Sequence, residues 1–598
     1  MAQATRLSRG CPPHHPPPHH LPTEMDVFKT KGTQVVGANA TGPASAVVPL
    51  GQAIAKAASA GEVIARLKAA GNAGEQGGFE YGYANDAAGL LSSSTPEVVA
   101  AAIEALGNMI GAGEPFADEI AAKLVDPEEQ VQTAAATALG MFGTTSLAYT
   151  KNLCDLIENG RAPEAPKVAA ICTLGYIGAE AQGSFIASYL ENGSPLMAAA
   201  ACQALGYMGS EGELQAEGIV KRLKTPETKF AAISALAELG PGACEKYIGD
   251  IIGVLTDKDS LTRQHAGSAL AACADAVLES KDVGAVKELM NHKEPGVRCS
   301  AAMVFGYMGA KAIPHADAVA TLLADTAEDT SETYLQMGGG YARSAPAARK
   351  PQCAALIALG MMGASSEAPS CGALLSEESW EVKLCALECL AGMGDAGKDQ
   401  AGKIAGVLDD NVFLVRQKAC ETIGLLKATE SVMNLSDVLQ DKVPSVRAAA
   451  LTAMAECGGA EQYPNEVFKC FTDQMPNVKA AAITCIGSMG ESGTGYASAV
   501  ATALSDDDDI TRAAAAEAMG KLGKHGASFA EEVAVLLGDP SPDVRSGAAT
   551  GLGLMGREGQ PYMGHIEMLM DDPFEGVSAA AVTAMENLTN GPAAIGDQ

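Results

Sequence analysis

The chain has 598 residues and a formal net charge of −31, with 66 glycines and 47% hydrophobic but only 4% aromatic residues. Length alone would suggest about four globular domains, yet so little aromatic bulk and so much small-residue content suit closely approaching helices rather than β-sandwich cores or disorder. The charge opposes adhesion to nucleic acid or anionic membrane, and no run approaches 18 uninterrupted apolar residues, which excludes a transmembrane helix.

Residues 1–42 read as a disordered tail. Its first 24 residues are rich in Pro and His, carry no acid before Glu24, and cannot bury a core. His14, His15, His19 and His20 are read there as polar low-complexity sequence rather than a metal site. Arg6 and Arg9 leave a weak targeting extension open, and Met25 is an alternative start. Residues 43–94 contain helical patterns, at 53–59 and 62–68, that fit the repeat unit found further along poorly and are expected to form an N-terminal helical cap. The Gly/aromatic stretch at 77–86 is expected to be a surface loop. Fifteen cysteines, without a Cys-x-x-Cys spacing, fall mostly at small-residue positions of helical patterns. They read as reduced, buried thiols, which favours a reducing compartment and hence the cytoplasm.

From residue 95 onward one unit recurs, ending in Leu-Gly-x-Met-Gly or a close relative. Taking the residue after the Leu as an anchor, the fifteen units fall at Gly107, Gly140, Gly175, Gly206, Ala237, Ala271, Gly306, Gly360, Ala391, Gly424, Ala455, Gly487, Gly520, Gly553 and Glu586. Thirteen of the fourteen intervals lie between 31 and 35 residues and one is 54, so the eighth unit carries an insertion. Five residues before the anchor stands Ala in every unit, and one before it Leu, Ile, Met or Phe. With the apolar or small residue four before, these offsets define one helical face, and the Ala row implies a neighbouring helix too close for a larger side chain. A shorter amphipathic run precedes each such helix. Each unit is therefore helix, turn, helix, and the fold class is all-α, a solenoid.

The turn adds a charge pattern. An Asp fourteen residues before the anchor and a cation eight before it occur together in six units: Asp257 with Arg263, Asp410 with Arg416, Asp441 with Arg447, Asp473 with Lys479, Asp506 with Arg512 and Asp539 with Arg545. These are expected to form a structural ladder, within units or between them, with the Asp also capping its helix. The register is broken at His292 in the seventh unit and Gln352 in the eighth.

The pattern Asp-x4-Val-Arg-x2-Ala-x3-Leu-Gly, as at 539–553, resembles the HEAT repeat, in the short form of the phycobiliprotein-lyase HEAT-like family. Ankyrin, tetratricopeptide and armadillo signatures are missing, the last because its Trp-x3-Asn ladder cannot come from the single Trp380. The resemblance implies an α-α superhelix whose second helices line a concave surface. It divides the chain into repeats one to seven with the first helix of the eighth (95–325), an insertion loop (326–350), and the remainder (351–598).

Motifs for catalysis or cofactors are not found. The Gly-x-Gly-x-x-Gly at 551–556 ends a helix and is an ordinary anchor, there is no P-loop or zincin motif, and the scattered histidines share no unit. No enzyme activity, cofactor or metal is therefore expected. What exceeds the structural minimum is a weakly polar row beside the anchors with Tyr176, Tyr207 and Tyr307, accompanied by Glu238, and the insertion with Tyr334, Tyr341 and Arg343. The expectation is a protein-binding scaffold or adaptor whose partners carry basic segments. The resemblance leaves open a bilin-lyase-like accessory factor, and size and charge leave open a phosphatase-scaffold or karyopherin-type carrier. The sequence sets no oligomeric state.

Overall fold

The computed structural model describes residues 59–74, 82–329 and 346–590, with Leu50, Ile54 and Ala57. The N-terminal tail and most of the insertion lie outside these residues. The described chain is helical, with fifteen long second helices from Pro96–Asn108 to Glu575–Asn590, each containing one anchor. Short helices or 3₁₀ turns precede them and form a second layer. Pro is the first residue of eight of the long helices, among them Pro195–Gly206 and Pro542–Leu554. There its missing N–H is one the helix could not have bonded, and its fixed φ suits the helix start.

The two glycines of the repeat motif answer two different demands. The anchor is required by space. A Cβ on Gly107 would sit 3.1 Å from the Cα of Ala138, and one on Gly553 only 2.8 Å from that of Ala584. The glycine three residues later is required by conformation: Gly178 and Gly556 have φ of 70° and 59° with nothing near a built Cβ, the left-handed stop that follows a helix. Two units hold a residue other than Gly in that conformation, Ile110 at φ 43° and Lys427 at φ 49°.

All fifteen Ala residues five before the anchor are fully buried. In this layer most anchor glycines face the backbone or Cβ of an Ala on the next helix, as Gly175 and Gly206 do at Ala204 and Ala235, while Thr173 stands across from Gly140. In the first-helix layer side chains intervene, Glu211 at Gly183 and Gln400 with Lys403 at Gly372. The second helices thus approach more closely, and a stack whose layers differ in spacing bends toward the closer one. Their free face is the inner surface.

The helix Ala60–Asn72, expected as a cap unlike the repeats, stacks in the manner of a second helix. A Cβ on Gly71 would lie 3.1 Å from the Cα of Ala105, the same contact that Gly107 makes one unit later. The helix Tyr83–Ala88 occupies part of the stretch expected to be a loop. At the other end Glu586 is exposed where the other units hold a buried or half-buried Gly or Ala. The eighth unit opens with Ala316–Ala320 and Thr321–Ala324 and resumes at Pro351–Met362. Of the cysteines described, Cys154 is half-buried and the rest are buried and unbridged. Burial pushes the Cys202 and Cys485 thiols up to about 12.

The ladder runs between units. Each cation bonds the Asp of the next unit, in six consecutive pairs: Lys383–Asp410, Arg416–Asp441, Arg447–Asp473, Lys479–Asp506, Arg512–Asp539 and Arg545–Asp572, at 2.5 to 3.0 Å. Within a unit the link is through the backbone: Arg545 Nη1 donates to the carbonyl of Asp539 at 2.9 Å, while the Asp539 carboxylate accepts from the Ser541 N–H at 2.9 Å. In the first half the rungs are Lys229–Asp257 and Arg298–Asp325. Arg263, whose next unit offers His292 rather than an acid, instead approaches Asp329 at the start of the insertion, 3.9 Å away. Gln132 and Gln352 replace cations and donate to backbone carbonyls of Asp126 and Leu323.

Burial alone would raise the Asp539 carboxyl, but the bonds from Arg512 and Ser541 outweigh it and hold the group below its usual range. Its contribution is therefore complete above the unfolded-state value of about 4 and is lost as pH falls through the lower folded-state value. Two outcomes follow. Ala135→Leu should destabilise by about 1 to 3 kcal/mol through overpacking, whereas Thr137→Leu, on the exposed face of the same helix, should shift a urea midpoint little; equal shifts would refute the seam. In a double-mutant cycle at pH 7, Arg512→Ala and Asp539→Ala should couple by roughly 0.5 to 3 kcal/mol, and Asp539→Ala with Arg545→Ala much less. The first coupling should fade in acid, and pH-independent coupling would contradict the carboxylate bond.

Candidate partner-binding surface

With the Ala row and the anchors committed to the seams, one stripe of each second helix is left free. It comprises positions three before and one after the anchor, extended by those seven and ten before it. In the third and fourth units this stripe presents Tyr176 and Tyr207, 41% and 43% exposed. Their rings lie 5.0 Å apart, tilted by 32°, within the range of favourable aromatic pairing. Gln203 Nε2 donates to the Tyr176 hydroxyl at 3.2 Å and Gln203 Oε1 faces the Cys172 thiol at 3.8 Å. Burial, reinforced by Tyr207, pushes the Tyr176 hydroxyl up, so both its apolar face and a neutral hydrogen-bonding tip are presented.

Glu238 is exposed one unit further on. His265 in the next helix feels its charge, but burial dominates and lowers the imidazole, with Glu238 and Asp259 opposing. The ring of His265 meets Phe230 edge-on at 5.2 Å. Phe230 and Leu196, both exposed, extend the apolar stripe across the fourth and fifth helices. Sequence reasoning passed over them because it examined only positions beside the anchor; the same helical period continued two turns upstream would have found them.

Tyr307 behaves differently from its two counterparts. Its ring edge lies 3.3 Å from where a Cβ on Gly267 would stand, so it fills the space left by that glycine on the preceding helix. It is half-buried, and burial pushes its hydroxyl up. It packs units together, so the row of three tyrosines divides into an exposed pair and one packing residue.

Tyr334, Tyr341 and Arg343 of the insertion lie outside the described residues. The base of the insertion is described, and it is held by charge. The Asp329 N–H donates to the Arg349 carbonyl at 2.8 Å. Arg349 pairs with Glu328 and with buried Glu381 of the ninth unit, and Lys350 pairs with Glu381 as well. The insertion thus leaves and re-enters the solenoid at one clasped point, next to the rung between Arg263 and Asp329.

No group of three or more His, Cys, Asp or Glu side chains able to hold a metal ion occurs among the described residues. No described helix is long and apolar enough to cross a membrane.

Residues 464–533 match a family model described as HEAT repeats. No curated protein sequence matches the chain significantly. Solved structures match almost its whole length. The Kap95:Nup1 complex gives a TM-score of 0.63 at 13% identity, over 90% of this chain and 81% of that one. Yeast importin-beta (Kap95p) gives 0.56 at 13% identity, over 90% and 87%. Importin beta in an ammonium sulfate condition gives 0.53 at 15% identity, over 90% and 84%. At such identities the likeness is one of fold: an α-α superhelix, with HEAT repeats matched at 464–533.

The division among the tyrosines is testable by stability. Tyr307→Ala should cost about 2 kcal/mol or more, toward the low end for loss of an aromatic from a packed site. Tyr176→Ala and Tyr207→Ala should each stay within about 1 kcal/mol. Denaturant unfolding of the three variants measures this, and a Tyr307→Ala variant as stable as the other two would show that the ring is not a packing element.

Proposed function

We propose that this protein is a non-enzymatic protein-binding scaffold or carrier that engages its partner along the inner stripe of the second helices, centred on Tyr176 and Tyr207. The observation that carries this reading is the exposed tyrosine pair. Two adjoining aromatic rings are left in solvent in a chain with so few aromatics, on the face that a curved stack turns inward. Tyr provides apolar area and a polar tip at small entropic cost, which makes it a frequent anchor of protein interfaces. A surface this long also exceeds what one small ligand requires.

Two of the similar solved structures are complexes with another protein, Kap121p bound to Ste12p and the Kap95:Nup1 complex, which supports a protein partner. The net charge of −31 favours clients with basic segments. Exposed Glu238 then stands beside the aromatic anchors. The short-form, phycobiliprotein-lyase-like resemblance carries the finer alternative of a bilin-handling accessory factor, which visible absorbance of the purified protein tests.

The main experiment is quantitative co-purification from native lysate with wild type and the Tyr176→Ala/Tyr207→Ala variant, both checked for helicity. The variant should lose most of its partner while remaining helical. Equal recovery of the same partners by both proteins would remove the tyrosine pair from the interface.

A further inference from the structure

A trough crosses the inner surface from the tenth to the twelfth unit, far along the stack from the tyrosine pair. Its volume is about 740 Å³, within the usual range of binding sites, ~300–1,000 Å³. It arises from a local run of small residues. In the eleventh second helix, Pro444–Cys457, the free stripe and its neighbours are Ala448, Ala449, Thr452 and Ala453, which form a floor. The helices on either side carry larger groups. Leu425 is 63% exposed on one rim and Met475 is 45% exposed on the other.

Two carboxylates and no cation line this trough. Glu421 stands on the same stripe as Leu425, held by Gln417 Nε2 at 2.9 Å and approached by Lys418 at 3.6 Å. Glu456 is exposed, and its carboxylate lies over the anchor Gly424, in the space a side chain there would fill. The two acids thus come from adjacent units and both stand on the tenth-unit side of the apolar floor. A cation placed between them gains charge-assisted hydrogen bonds, and its aliphatic stem lies on alanine.

The depth of the trough decides the shape of its occupant. The three helices lie in one layer, so the floor is recessed only by the difference between Leu, Met or Glu and Ala, about one side chain. A helix, roughly 10–12 Å across, would ride above the acids. An extended chain fits, and at about 3.3 Å per residue it crosses one helix spacing of about 8–10 Å in some three residues.

We propose that the trough formed by Glu421, Leu425, Ala449, Glu456 and Met475 is a docking site for an extended segment of a partner protein in which Arg or Lys alternates closely with large apolar residues. The cation sits between Glu421 and Glu456, and the apolar side chain lies against Leu425 or Met475. The proposal rests on the reading of the protein as a scaffold that binds along its inner face, and it adds a second locus with its own chemistry. The groove over the first and second units has a comparable register but a different lining. Glu104, Glu128, Glu129 and two threonines surround it, and Met141 is its one large apolar contact. It lacks the apolar rims.

The test uses the full-length protein and three labelled ten-residue peptides: alternating Arg and Leu, alternating Arg and Ser, and alternating Glu and Leu. Fluorescence anisotropy at low salt should rank Arg/Leu well above both others. Glu421→Gln/Glu456→Gln should weaken Arg/Leu binding at least tenfold, and Leu425→Ser should weaken it several-fold. Glu531→Gln/Glu532→Gln, which removes the same charge from exposed positions on the outer layer, should leave it unchanged. Loss of native partners by Tyr176→Ala/Tyr207→Ala and loss of peptide binding by the trough variants report on separate sites. Equal binding of Arg/Ser and Arg/Leu, or equal weakening by the outer and trough substitutions, would mean that the peptide feels only the overall charge and would overturn the proposal. So would unchanged affinity in the Glu421→Gln/Glu456→Gln variant.

Discussion

Everything in this molecule depends on one contact, the seating of an anchor glycine against the backbone of the next second helix. Where the anchor is Gly a Cβ would stand within 3.1 Å of the next helix, and four units seat Ala there instead, so the contact is made by main chain and small side chains and hardly at all by bulk. The contact fixes the spacing of the second helices and makes their layer the tighter of the two. It explains a composition in which Ala and Gly supply hydrophobic mass and aromatics are almost dispensable. Because every unit meets only its neighbours, the same geometry is repeated without a central core, and local sequence decides local stability.

The charge ladder locks the register that the glycines permit. A Gly-on-Ala seam is smooth, and nothing in it forbids a helix from sliding by a turn. The Arg or Lys of one unit, bonded to the Asp of the next and, where it is Arg, to the backbone carbonyls of its own turn, specifies both partners' positions at once. The six consecutive rungs from Lys383 to Asp572 make the C-terminal half the more regular one. The N-terminal half has fewer rungs, and one of them is supplied from an unexpected place: Asp329, at the root of the insertion, approaches Arg263 where His292 interrupts the pattern. The insertion is therefore tied into the ladder at its base, through Asp329 and through the pairing of Arg349 and Lys350 with Glu381.

A consequence of this economy is that the inner stripe carries little structural duty. Its positions touch the seam only at their edges, so they can hold Tyr in one region, acid and Leu in another, and Ala in a third without disturbing the stack. Tyr307 shows the limit of that freedom. Where the preceding helix offers Gly267, an aromatic on the stripe folds down and becomes part of the packing. The differences along the stripe are thus where a partner would be distinguished, and the trough of the tenth to twelfth units lies where one helix has small residues between two with larger ones.

The sequence by itself determined the repeat, its length, its fifteen anchors and the all-α class, because the 3.6-residue period and the positions that admit only Gly or Ala are local and recur often enough to be read. The roles of the two glycines in Leu-Gly-x-Met-Gly were less legible. Space and dihedral angle both select Gly, and only the stack separates them. Pairing direction was likewise undecided, since Asp539 is near Arg545 in sequence but bonds Arg512 through space. The helix Ala60–Asn72 escaped recognition as a stacking element because it lacks the ladder residues and yet keeps the one glycine that matters, Gly71. Which tyrosines face solvent, and where the inner surface opens into a trough, depended on the neighbour's side chain at each crossing. That is a property of two helices some thirty residues apart, and no window along the chain contains it.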